Sequence, residues 1–121
     1  MTERKRTGNR GERLAEDLLR QKGHAIERRN YRHRRTEVDL ISRLDDVLVF
    51  TEVKTRTDDR FGHPSQFYTP AQKQRISQAA AAYAREVEHD WEIRFDLVAV
   101  LIKNDRVTID HYEDVFFPGL H

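Results

Sequence analysis

Between residues 12 and 22 the apolar positions Leu14, Ala15, Leu18 and Leu19 recur at three- and four-residue intervals, the mark of one buried helix face, and Gly23 ends the run. The preceding Gly8-Asn9-Arg10-Gly11 reads as a turn, and residues 1–7 as a disordered basic arm. A weakly patterned strand over 24–31 leads to two better ones, 37–43 and 47–55. The second is dense in β-branched and aromatic residues: Val47, Val49, Phe50, Thr51 and Val53. The short connection at Asp45-Asp46 predicts an antiparallel hairpin. After a polar segment, 56–68, Thr69 as N-cap and Pro70 at the first helical position open a second helix. Its stripe is Ile76, Ala79, Ala80, Tyr83, Ala84 and Val87. Residues 93–102 form a strand whose apolar run calls for cover on both faces, and Asn104-Asp105 turns it into a last strand, 106–112. The predicted order is α-β-β-β-α-β-β: an α/β domain over residues 8–121, with a central mixed five-stranded sheet flanked by helices.

Composition narrows the function. The chain has 121 residues, 37% hydrophobic and 36% charged, enough for one modest core. Cysteine is absent, which removes disulfide scaffolds, thiolate nucleophiles and cysteine-ligated metals. The longest apolar runs, 79–84 and 97–102, are too short to cross a membrane, and the polar N-terminus has no apolar signal core. A cytoplasmic protein is expected. The net charge of +1 hides an asymmetry: residues 1–35 carry twelve Lys/Arg against five Asp/Glu, and the remainder ten against sixteen. Such a split suits an anionic partner at the basic end.

The chemistry-bearing feature is a group of charges inside the two best strands. With Asp45-Asp46 centring the turn, Asp39 faces Glu52 and Glu37 faces Lys54, and strict alternation puts all four on one face. Two adjacent carboxylates repel unless one is protonated or a cation lies between them. Carboxylate oxygens suit hard cations such as Mg²⁺ or Mn²⁺, and a neighbouring lysine fits metal-assisted phosphodiester hydrolysis. The same residues would also make a ladder of surface ion pairs on an exposed face. The spacing alone does not choose.

Thr36-Glu37-Val38-Asp39-Leu40-Ile41 followed by Val49-Phe50-Thr51-Glu52-Val53-Lys54-Thr55-Arg56 resembles the D…ExK signature of the PD-(D/E)XK, restriction-endonuclease-like superfamily. Within it the chain is similar to the small bacterial YraN family. Gly8-Asn9-Arg10-Gly11-Glu12, Arg29-Asn30-Tyr31, Phe61-Gly62, Lys73-Gln74-Arg75-Ile76 and Arg94-Phe95-Asp96-Leu97-Val98 match in order. The resemblance implies a restriction-endonuclease-like fold. Asp39 and Glu52 would be metal ligands with the Val53 carbonyl, Lys54 the base or stabiliser, and Glu12 the acid that related Holliday-junction resolvases place beside the metal. Thr36 stands where the family usually has glycine, and Thr51 where it has valine, facing away from the site.

Beyond the resemblance, Arg28, Arg29, Arg34, Arg35 and Arg56 are candidates for phosphate contact and Tyr31 for base stacking. Lys73, in the first turn of its helix where the dipole disfavours a cation, suggests a phosphate there. Asp96 reads as a structural partner for an arginine, Tyr83 as core, Trp91 as a core or rim aromatic and the six histidines as surface residues. The expected function is a metal-dependent nuclease acting on DNA, branched DNA in recombination or repair being favoured. A homodimer would suit a four-way junction, and a repair partner protein would fit. The alternative is a non-catalytic nucleic-acid-binding accessory.

Overall fold

The computed structural model describes residues 2–58 and 68–116. Helix α1 (Glu3–Gln21) is followed by β1 (Ala25–His33), β2 (Thr36–Leu44), β3 (Val47–Arg56), α2 (Pro70–Glu86), β4 (Ile93–Lys103) and β5 (Arg106–Tyr112). The strands form one sheet in chain order, β1-β2-β3-β4-β5. Neighbours pair antiparallel except β3 and β4, which run parallel because α2 carries the chain back across the sheet. This is the predicted α-β-β-β-α-β-β order. The Phe61-Gly62 match lies outside the described residues.

Each helix covers one face. Ala79, Ala80, Tyr83 and Ala84 of α2 pack on Val38, Ile41, Leu48, Phe50 and Phe95. Ala15 and Leu19 of α1 pack on Leu40, Val98 and Val100. Strand β4 lies between the two layers, so its run from Phe95 to Val100 is buried throughout, as the unbroken apolar pattern required. The α2 start is a capping box: Gln72 N–H donates to Thr69 Oγ1 (3.1 Å) and Thr69 N–H to Gln72 Oε1 (2.8 Å). Gly23 ends α1 at φ 96°, where its N–H donates to the Arg20 carbonyl and that of His24 to the Leu19 carbonyl.

The structure corrects the N-terminal expectation. Residues 3–7, read as a disordered arm, form the first turns of α1, capped by Thr2. The glycines read as a turn lie inside the helix. A side chain at Gly11 would place its Cβ 1.9 Å from Thr55 Oγ1, so the glycine is there for helix–strand approach. Two further readings change. Trp91, read as core or rim, is 74% exposed, which removes the core reading. His24 and His111 are buried rather than on the surface. His24 Nδ1 lies 2.8 Å from Ser42 Oγ, and His111 Nε2 lies 2.8 Å from Asp96 Oδ2.

Asp96 has the predicted arginine and more. Arg94 donates two hydrogen bonds of 2.8 Å to it, and the Asp114 N–H adds one of 3.0 Å. Burial alone would raise the Asp96 carboxyl, but these donors together hold it below the usual carboxylate range. The cluster ties the start of β4 to the end of β5. Asp96 is therefore committed to structure.

Because the Gly11–Thr55 contact seats α1 on β3, Gly11→Ala should cost about 1–3 kcal/mol in chemical denaturation. Thr55→Gly in the same chain should recover much of the loss, whereas independent, additive effects would show that the contact is not what requires glycine.

Candidate active site

The β2–β3 ladder runs from Leu44–Val47 to Leu40–Thr51 and its pairing ends there. The next positions in that register are Asp39 and Glu52, as the hairpin turn predicts. Past the last pair the Val53 N–H is taken by a side chain, donating to Asp39 Oδ2 at 2.7 Å.

Strict alternation fails at this point. Leu40 packs in the α1 layer, while Ile41 and Val38 both pack in the α2 layer, so the strand turns between 38 and 40. On the neighbouring strand Asn30 adopts a left-handed φ of 52°. The four charges therefore do not share one face. Asp39 lines a groove on the α1 side with Glu12, whereas Glu37, Glu52 and Lys54 line a pocket on the α2 side.

The carboxyls nevertheless meet. The charge of Asp39 acts on both Glu12 and Glu52, and the three acids make a row across the open end of the β2–β3 ladder. Burial first, then the charge of Asp39 and its hydrogen bond, push Glu12 up to about 7. Burial and the Asp39 charge push Glu52 up to about 7 against the opposing pull of Lys54. Asp39 is also raised, by burial, although the Val53 N–H works the other way. Three acids in a row cannot all ionise cheaply, so protons remain among them near neutrality. Lys54 Nζ is 3.4 Å from Glu52 Oε1, both partly buried. With its amide nitrogen turned to the acids, Asn30 lies 3.2 Å from Glu37 and 3.3 Å from Glu12.

The expected nucleic-acid contacts divide. Arg35 borders the pocket that holds Glu52 and Lys54, and Arg56 a larger groove of about 780 Å³ beside Glu12 and Val53. Arg34 is exposed in the β1–β2 turn at φ 56°. Arg28 and Arg29 are held in ion pairs, to Glu86 at 2.7 Å and to Glu16 at 2.6 Å. Tyr31 packs edge-on against Tyr83 at 5.2 Å, so its ring serves the core. Lys73 sits 5.8 Å over the Phe116 ring, and its first-turn position is taken up by that contact.

One residue was not foreseen. Tyr68 lines the Glu52 pocket beside Gln72, and burial together with the charges of Glu52 and Asp39 pushes the Tyr68 hydroxyl up. Nothing in the chain marked Tyr68.

A family profile described as "Uncharacterised protein family UPF0102" matches residues 11–100, which span α1 from Gly11 through most of β4. The chain belongs to the UPF0102 family. It is 39% identical to a UPF0102 protein of Christiangramia forsetii over 97% of this chain and 98% of that one. It is 37% identical to one of Flavobacterium psychrophilum, again over 97% and 98%. A third, from Chlorobium limicola, is 42% identical over 91% of each. The UPF0102 match thus includes Glu12, Asp39, Glu52 and Lys54 within its bounds.

Among the described residues no helix is long and apolar enough to cross a membrane. No three His or acidic side chains among them converge on a single metal-sized point.

The raised carboxyls set a pH dependence. A carboxyl near 7 when folded and near its ordinary value of 4.5 when unfolded binds more proton in the fold between those values. Its stabilising contribution is full below about pH 4.5 and is lost as pH rises through about 7. In EDTA, wild-type Tm should therefore fall more between about pH 5 and about pH 8 than Tm of Glu52→Gln, with the variant the more stable at the upper end. Parallel Tm profiles for the two proteins would contradict the shared-proton row.

Proposed function

We propose that this UPF0102 protein is a Mg²⁺- or Mn²⁺-dependent nuclease that hydrolyses DNA phosphodiesters, with a PD-(D/E)XK type of site. The observation that carries the reading is the Asp39–Glu52 pair at the end of the β2–β3 ladder, with Lys54 ion-paired beside it. Carboxyls that hold a proton between them at neutral pH offer that place to a divalent cation. Asp39 and Glu52 would hold the ion, the Val53 carbonyl and water completing its shell.

When bound, the cation would neutralise phosphate charge and make an attacking water a better nucleophile. The chain's own groups do the rest. Lys54, held by Glu52, is a fixed positive charge beside the place where charge develops on the phosphate. Glu12, poised near neutrality and hydrogen-bonded to Asp39, orients that carboxylate and can accept a proton. Asn30 fixes Glu12 and Glu37. The second reading, a non-catalytic nucleic-acid-binding accessory, draws on the absence of a converging three-acid group among the described residues.

Cleavage of single-stranded, duplex, flap and four-way-junction DNA with Mg²⁺, Mn²⁺ or EDTA separates the two. Metal-dependent cutting is expected, reduced about 10²–10³-fold in Lys54→Ala and abolished in Glu52→Ala, with binding largely kept. Binding without cutting by the wild type would favour the accessory, and cutting that survives both substitutions would remove these residues from the chemistry.

A further inference from the structure

We infer that the Arg6–Arg10–Arg13 stripe of α1 is a binding wall for one phosphodiester strand, guiding it to the Glu12–Asp39 carboxyls. The role deepens the nuclease reading and rests on it for where the strand ends. None of the three arginines belongs to the basic run that the sequence singles out: Arg6 fell in the expected arm, Arg10 in the expected turn and Arg13 in the expected helix.

Positions 6, 10 and 13 follow i, i+4, i+7 spacing and so form one row on α1, about 10.5 Å long at the helical rise. That row borders a groove of about 570 Å³ between α1 and the β1–β2 strands. Glu12, Asn30 and Asp39 line the same groove. A polyanion lying along the arginines is thus led to two members of the carboxyl row.

The charge balance of the groove supports this use. Arg29 also lines it, but Glu16 holds that guanidinium through bonds of 2.6 and 2.8 Å and receives Arg20 as well. Glu16 is therefore spent. Neither Arg10 nor Arg13 has an acidic partner within ion-pair distance among the described residues. Guanidinium groups are suited to bidentate contact with phosphate oxygens, and a row of them along one wall matches the successive charges of a single backbone. That backbone is either an unpaired strand or one strand of a duplex.

The test is fluorescence anisotropy in EDTA with labelled oligo-dT and with a labelled duplex of the same length, using wild type, Arg10→Ala/Arg13→Ala and Arg10→Lys/Arg13→Lys. On the probe that binds, the alanine pair should lose at least about tenfold in affinity. Its slope of log affinity against log salt should flatten by about 1.4 for the single strand, for two lost phosphate contacts. The lysine pair should keep most of that slope, and Tm should not fall in either variant. The tighter-binding probe identifies the source of the strand. Unchanged affinity and slope on both probes, or a lysine pair as weak as the alanine pair, would overturn the proposal. Because these measurements need neither metal nor cleavage, a failure of the nuclease reading would leave them standing, and their failure would leave the carboxyl site untouched.

Discussion

The structure turns on the place where β2 and β3 stop pairing. An antiparallel ladder that ends inside two long strands leaves backbone groups that must find other partners. Here the Asp39 carboxylate takes the Val53 N–H, so an acid does the work of a missing strand residue. That single hydrogen bond fixes Asp39 beside Glu52, although the side chains to either side of it turn to opposite layers. With Glu12 brought in by α1 and Lys54 beside Glu52, a row of charged groups crosses the open end of the β2–β3 ladder, facing a groove on one side of the sheet and a pocket on the other. The helix contributes because Gly11 lets it lie directly on Thr55.

The energetics of the row and its proposed chemistry have the same origin. Carboxyls brought together and partly buried hold on to protons. Asp96 shows the contrast. It is more deeply buried than Glu52, yet Arg94, His111 and the Asp114 N–H keep it ionised, and it has no capacity left for a ligand. Among the described residues Lys54 is the group that offsets the neighbours of Glu52, and the Glu52 carboxyl stays raised. Two buried acids thus diverge according to the number of donors around them.

Much of this was legible in the chain. Alternation and turn residues gave all seven elements, and the Asp45-Asp46 turn set the register that the Leu40–Thr51 pair continues. What escaped depends on contacts distant in sequence. Gly8 and Gly11 look like helix breakers until Thr55 is known to lie against the second of them. Arg28 and Arg29 look free until α2 and α1 supply Glu86 and Glu16. Tyr31 looks available for stacking until Tyr83 closes over it. The shared face was misread because period-two alternation assumes an unbroken pleat, and the chain turns at Asp39 itself, between Val38 and Leu40.

The central claim is that the Asp39–Glu52 pair holds a divalent cation, and anomalous diffraction from crystals soaked in Mn²⁺ tests it most directly. The account predicts a manganese peak within bonding distance of both carboxylates, absent from crystals of Asp39→Asn treated in the same way. Well-ordered wild-type crystals that show no peak there, or a peak that persists in the variant, would contradict it.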